Sequence, residues 1–385
     1  MKLDDEGYLR PAFDPDYVPV GRRVSSRFGA VCPGVGVTSA RSKAVPEHET
    51  LGPHVSAWTA WAGDPELRWA GSSGGVLSAL SEWLLTIGVA NSVIGASMSA
   101  ESPRRTVPLE LRSRAEVLAA TGSRYAPVGN VELFDPNEHQ RAFVGKPCEV
   151  YAARRLLETR PDAGADAPVL LSFFCAGVPS QDATNELISA LDVNEPVVSV
   201  RYRGRGWPGD FTVEDAVGHK ESTSYEESWG GHLGRRLQER CKICPDGTGG
   251  HADIAVGDYW RTDASGFPTF ADADGMSVAI ARTPRGHQLL MAAQQAGVLV
   301  LGPIVLDDVA AVQPLQVRRR RTLLGRLVGR VAAGRRVPRY RGFGLLKSAL
   351  DSPREATEAA RGTFSRTLRR RRATSWQPEK ERQGR

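Results

Sequence analysis

Cysteine is scarce in this chain, five in 385 residues, which excludes a disulfide scaffold and leaves metal ligation, nucleophilic chemistry or core packing as uses for thiols. Long apolar runs are missing too. Nothing approaches the roughly 20 consecutive apolar residues that a membrane-spanning helix needs. The opening MKLDDEGYLR is acidic where a secretory signal is basic and then apolar, so a cytoplasmic location is expected. The dinucleotide signature G-x-G-x-x-G followed by an acidic residue is not present in that form, which disfavours NAD on a Rossmann domain. No internal repeat is visible.

What is present suffices for a large core: 41% of residues are hydrophobic and 24% charged, enough for one big domain or two ordinary ones. The net charge of +6 hides an asymmetry. From Arg318 onward there are 21 Lys or Arg against 5 Asp or Glu, while the first 317 residues carry 29 basic and 39 acidic groups. The body is acidic and the tail strongly basic.

Four regions follow. Residues 1–60, rich in Pro, Gly and Ser, predict an irregular lead-in with little regular structure. Residues 61–140 form the first part of a cofactor-binding region, in which Val76, Leu77, Leu80, Trp83, Leu84 and Ile87 fit one face of a helix that begins at a glycine-rich loop. Residues 141–316 contain two strand-loop-helix units. Arg141-Ala-Phe-Val-Gly145 passes through Lys146-Pro147-Cys148 into a helical pattern, and the apolar run from Pro168 to Phe174 passes through Cys175 into another. Further strands are expected at Val197–Tyr202, Phe211–Glu214, Ala252–Trp260, Ser277–Arg282 and Val298–Gly302, with a helix over Pro284–Ala296. Residues 317–385 predict a basic helical tail with a polar, disordered end. The fold class is α/β or α+β, a mixed sheet with helices.

Cys148 and Cys175 each follow a predicted strand and precede a predicted helix, which places both at the carboxyl edge of a parallel sheet, where such sheets bind ligands. Alone, a cysteine in such a place is more often a small buried hydrophobe than a ligand. Cys241-Lys-Ile-Cys244 supplies a second pair whose loop lets two sulfurs converge on one metal centre. Four thiolates suit an iron-sulfur cluster or a structural zinc. Cys32 is left over and reads as a structural thiol.

Three loops are suited to an anionic cofactor. Ser72, Ser73, Gly74 and Gly75 open the amphipathic helix, where free backbone N–H groups and the helix dipole favour phosphate. Ser123, Arg124 and Tyr125 offer a cation for phosphate and a ring for stacking. Gly145, Lys146 and Pro147 set a cation beside a candidate ligand. Each loop by itself is also an ordinary turn.

The ordered set Arg68–Gly75, Gly122–Tyr125, Val144–Glu149, Phe173–Ser180 and Cys241–Trp260 resembles the beta subunits of coenzyme F420 hydrogenases and dehydrogenases, over about residues 60–315. The resemblance implies FAD and one 4Fe-4S cluster, with Cys148, Cys175, Cys241 and Cys244 as cluster ligands and the serine-glycine and Gly-Ser-Arg-Tyr loops as flavin contacts. It also implies coenzyme F420 as the hydride carrier and a redox partner protein or ferredoxin. Many relatives carry an N-terminal ferredoxin-like stretch of closely spaced cysteines; here only Cys32-Pro33 remains, so a single cluster is expected. An anionic carrier needs a basic entrance, for which Arg124, Lys146 and Arg203 are candidates. No proton-transfer residue is assigned, although Asp258 and His232 lie in plausible positions. Two other readings remain open: a zinc-stabilised protein that binds nucleic acid or a partner through its Arg-rich tail, and a flavin and iron-sulfur reductase acting on another metabolite. Of the first, nucleic acid is the less expected partner, since clustered arginines more often form a solvated or membrane-leaning helix.

Overall fold

The computed structural model describes residues 1–12, 27–41, 44–160, 167–260 and 273–375. The polar end expected after residue 375 lies outside them. An eight-stranded mixed sheet organises the body. In chain order its strands are β1 (Ser56–Ala62), β2 (Ser92–Met98), β3 (Thr106–Leu111), β4 (Arg141–Gly145), β5 (Val169–Phe173), then β9 (Ile254–Asp258), β10 (Ser277–Ala281) and β11 (Leu299–Gly302). A separate antiparallel sheet, β6 (Val197–Arg201), β7 (Phe211–Asp215) and β8 (Lys220–Thr223), is inserted between β5 and β9.

The spatial order of the large sheet is β11-β1-β10-β9-β5-β4-β2-β3. Its centre, β2, β4, β5 and β9, is parallel, and the flanking pairs are antiparallel. Central strands covered on both faces read as continuous apolar runs, and Val169, Leu170, Leu171, Ile254 and Ala255 are all fully buried. The fold is thus a mixed α/β sheet with helices. The two strand-loop-helix units are immediate neighbours, with Ser172 opposite Gly145.

The helices needed below are α1 (Pro65–Ala70), α2 (Val76–Thr86), α3 (Arg114–Ala120), α4 (Pro147–Leu157), α5 (Gln181–Ser189), α6 (Pro284–Gln295), α7 (Leu306–Ala311), α8 (Pro314–Ala332), α9 (Leu345–Asp351) and α10 (Pro353–Ser375). Their starts are chemically marked. Asp64 caps α1 by accepting from the amides of Glu66 and Leu67, and Pro65 supplies a first residue with no amide to satisfy. Ser180 and Thr283 cap α5 and α6 in the same way.

Two expectations need correction. The lead-in is not irregular throughout: Ser56–Ala62 is a seven-residue strand inside the main sheet, hydrogen-bonded on both sides by β10 and β11. Earlier in the chain, Gly36–Thr38 pairs in parallel with Arg339–Arg341. Nor does the Arg-rich tail begin as a solvated appendage. Helix α8 starts at Pro314, and Gln316, Arg319, Thr322, Leu323 and Leu327 are buried along one face. Leu323 and Leu327 pack on Ile243, between Cys241 and Cys244.

Candidate functional site

Because β4, β5 and β9 run parallel, their carboxyl ends share one edge of the sheet. Lys146 and Cys148 follow β4, Cys175 follows β5, and Asp258 closes β9. The loop from Phe174 to Pro179 is fixed from several sides. The Cys175 amide donates to Gly247 O at 2.8 Å, and the Gln238 amide donates to Val178 O at 2.9 Å. The Val178 amide points at Cys241 Sγ, 3.4 Å away. Gly177, at φ +143°, leaves no room for a side chain: an added Cβ would lie 2.9 Å from the Leu237 side chain and 3.3 Å from Cys241 Cβ. This glycine lets the Cys175 loop lie directly against the Cys241 loop.

All five cysteines are free thiols. The four predicted as ligands form one electrostatic group. Burial pushes Cys148 up to about 11, and the Cys244 thiolate adds to the shift. Burial likewise raises Cys175, with Cys241, Cys148 and Cys244 adding repulsion. Cys241 is raised by burial and by Cys148, and Cys244 is pushed up to about 11 by burial, then Asp246 and Cys241. Three cations oppose this: Lys146 and Arg240 act on Cys148, and Arg319 acts on Cys175, Cys241 and Cys244. Among the described residues no group of three or more His, Cys, Asp or Glu side chains is drawn together tightly enough to hold a metal ion.

Beside the thiols lies a cavity of about 490 Å³, within the usual size range of cofactor sites. Ser72, Ser73, Gly75, Ser123, Arg124, Tyr125, Lys146 and Cys175 all line it. Three loops singled out in the sequence therefore meet at one cavity, and one cysteine borders it. Ser72 Oγ and Ser123 Oγ join two of these loops at 2.6 Å. Gly75, at φ +72°, precedes α2 with no side-chain cap.

Gly74, Gly145 and Pro147 are not among the lining residues. Gly74 packs backbone to sheet, its amide donating to Ser277 Oγ at 2.9 Å, and a Cβ there would sit 2.6 Å from Ala60 O. Gly145 accepts from Ser172 Oγ at 3.0 Å and makes room for the Phe143 ring. Pro147 starts α4.

The three candidate cations differ. Lys146 is paired with Glu149 at 2.9 Å and donates to Val128 O. Arg203 is 1% exposed, so it is no open entrance. It pairs with Asp258 at 2.8 Å and sits among the rings of Trp207, Tyr225 and Trp260. Burial disfavours its charge, but Asp258 together with Tyr125 and Tyr225 more than offsets this and keeps the guanidinium above its ordinary value. Arg124 donates to Val200 O at 2.6 Å and Thr106 Oγ1 at 3.1 Å, while its Nη2 is buried with no hydrogen-bond partner among the described residues. Burial pulls its pKa below the ordinary arginine value. Arg124 lines the cavity, but this unpartnered nitrogen has almost no accessible surface, so it is not itself presented to the cavity.

Asp258 thus lies at the cavity, bound to Arg203. His232 pairs with Glu227 at 3.1 Å and does not line it. The far wall includes residues that sequence reasoning missed. Gln316 lines the cavity and donates to Cys175 O, and Gln313 donates to Asp258 O at 2.8 Å. A stripe at Gln316, Arg319, Leu323 and Leu327 was the available signal.

A mixed α/β sheet with a cofactor-sized cavity and a thiol group at its parallel edge defines the class of protein. Residues 57–135 match the N-terminal part, and residues 139–306 the C-terminal part, of the family described as coenzyme F420 hydrogenase/dehydrogenase, beta subunit. The chain belongs to this family, whose members are oxidoreductase subunits. It is similar to the coenzyme F420 hydrogenase subunit beta of Methanothermobacter thermautotrophicus, 24% identical over 266 residues, covering 66% of this chain and 86% of that protein. A chain of the F420-reducing NiFe hydrogenase complex from Methanosarcina barkeri, solved with xenon, shares the fold with a TM-score of 0.53. It is 21% identical, and the match covers 72% of this chain and 96% of that one. No helix among the described residues is long and apolar enough to cross a membrane.

Proposed function

We propose that this chain is an FAD- and 4Fe-4S-dependent electron-transfer subunit that exchanges electrons between coenzyme F420 and an iron-sulfur partner. The observation that carries the reading is the shared wall: the cavity lined by Ser72, Ser73, Arg124 and Tyr125 is also lined by Lys146 and Cys175. A flavin seated there adjoins a cluster ligand.

The residues suit both groups. Ser72 and Ser73 just before α2, with the Arg124 cation on the same cavity wall, are suited to a pyrophosphate. Cys148, Cys175, Cys241 and Cys244 are half-buried, free of disulfides and close enough for their charges to act on one another. A single zinc needs four sulfurs about 2.3 Å from one point, whereas a four-iron cubane is larger than one ion and takes thiols set further apart. Bound together, flavin and cluster supply two-electron hydride exchange on one side and one-electron transfer on the other. This chain's residues position and compensate charge: Lys146, Arg240 and Arg319 offset the thiolates, and Gly177 brings the two cysteine loops together.

Anaerobic purification or reconstitution tests the reading. Flavin absorption with about four irons per chain, and bleaching of the flavin by reduced coenzyme F420 in stopped flow, are expected. Colourless, iron-free protein overturns it. Loaded protein that is bleached by another donor and not by reduced F420 assigns it to a different metabolite.

A further inference from the structure

A second cleft, of about 410 Å³, borders the cysteine loop and shares no lining residue with the first cavity. Lys242 and Ile243, the two residues between Cys241 and Cys244, form part of its wall, with Arg326 and Arg330 of α8 and Arg366 and Arg369 of α10. Its one acidic lining residue, Glu239, is already engaged by Lys242 at 3.2 Å and Arg330 at 3.0 Å. Arg326 donates to Lys242 O at 2.9 Å, so the arginine helix grips the cysteine loop itself.

The seam beneath the cleft is built for close approach. Gly325 and Gly329, one turn apart on α8, face Ala356 O and Ala360 O of α10 so closely that no Cβ fits at either position. The two backbones touch, and the long cationic side chains are left to gather along the cleft. Arg318, Arg319 and Arg366 all act on Arg326, which shows how crowded the positive charge is.

We propose that this cleft docks the acidic face of a small iron-sulfur electron-carrier protein, making the Cys241/Cys244 loop the point where single electrons cross. The inference rests on the reading of those cysteines as cluster ligands. Charge distribution selects the partner: residues 1–317 carry 39 acidic against 29 basic groups, so an acidic carrier is repelled by the body and drawn to the region from Arg318 onward, with 21 basic against 5 acidic. Position selects its chemistry, because Lys242 and Ile243 are the direct covalent neighbours of two thiols. The balance is simple. Each reduced carrier gives up one electron, and two such transfers with one proton from water make up one hydride delivered to the deazaflavin coenzyme.

The test uses full-length holoprotein, its R366E/R369E variant and a small acidic two-cluster ferredoxin as probe. Both arginines are exposed and lie outside the flavin cavity. Fluorescence anisotropy of labelled oxidised ferredoxin measures docking, and stopped flow measures electron transfer from reduced ferredoxin, with reduced methyl viologen as a carrier that needs no docking. Binding and ferredoxin rate should each fall by on the order of tenfold and lose their salt dependence, with the viologen rate within about twofold. R366Q/R369Q should fall between. Unchanged ferredoxin binding and rate overturn the proposal, as does a variant that loses affinity for a duplex DNA oligonucleotide while keeping its ferredoxin rate. Protein that binds ferredoxin through this cleft yet holds no iron or flavin would instead overturn the cofactor reading above.

Discussion

Arg319 of α8 donates to the carbonyl of Cys175 at 3.0 Å and to that of Ala176 at 2.8 Å. An arginine from the basic C-terminal region thus holds the backbone of a candidate cluster ligand, and the same guanidinium opposes the charge of three thiols. Hydrogen bonds from a charged donor contribute about 1.5–3 kcal/mol each. Arg319→Leu should therefore lower iron per chain after reconstitution by more than about half, with far-UV circular dichroism retained. Arg319→Lys, lacking the fork, should recover only part of the loss. Full iron content in Arg319→Leu would show the contact to be dispensable.

The Arg203–Asp258 pair is a stability element as well as a cavity wall. Removing one partner leaves the other buried charge uncompensated, which typically costs about 3–5 kcal/mol. Asp258→Asn leaves Arg203, 1% exposed, without its carboxylate, but the carbonyls of Pro208 and Ser72 still accept from the guanidinium, so the loss should be about 2–3 kcal/mol. Urea unfolding of the cofactor-free protein reads this as a lower midpoint at unchanged slope.

Gly75 combines φ +72° with a position where a Cβ would meet Leu67 O at 2.5 Å. Gly75→Ala must displace the Ser72–Gly75 loop, because backbone rather than a flexible side chain stands in the way. Flavin per chain should fall by on the order of tenfold, measured by absorbance after reconstitution. Val76→Ala, the next residue, keeps the loop and should retain flavin.

Asp215 offers a pH signature far from the cavity. Burial alone would raise its carboxyl, but donors from Asn194, Val217 and His219 hold it below the ordinary carboxylate range. A group depressed in the folded state stabilises above its unfolded pKa of about 3.9, and that contribution disappears as pH falls through the lower folded value. Asp215→Asn should melt below the parent at pH 7, and the gap should close as the pH is taken below about 4. A pH-independent gap would indicate lost packing instead.

The parallel edge was legible because local pattern is enough to place it: an apolar run, a turn, then a helical period gives strand, loop and helix without knowledge of neighbours. Cys148 and Cys175 inherit their places from that grammar. Strand Ser56–Ala62 was not legible, since Trp58 and Trp61 interleaved with small and polar residues show no clean alternation. Hydrogen bonds from β10 and β11 decide its conformation. In α8 the run of four arginines suggests a solvated face, which conceals the buried stripe at Gln316 and Arg319. What makes Arg319 tolerable inside is a set of backbone carbonyls, and carbonyl positions are not written in side-chain identity. Arg203 was visible as a cation, but of the rings around it only Trp207 is local, while Tyr225 and Trp260 come from later segments of the chain.

The pairing of Gly36–Thr38 with Arg339–Arg341, together with Tyr340 Oη donating to Ile243 O at 2.8 Å, sets a timetable for biosynthesis. A ribosome releases the four candidate ligands well before it has made the helix and strand that secure them. The early strand Gly36–Thr38 must wait for Arg339–Arg341, made much later in the chain. Closure of the thiol site is therefore expected to follow synthesis of residues 339–341, and iron delivery has to meet a chain already made that far.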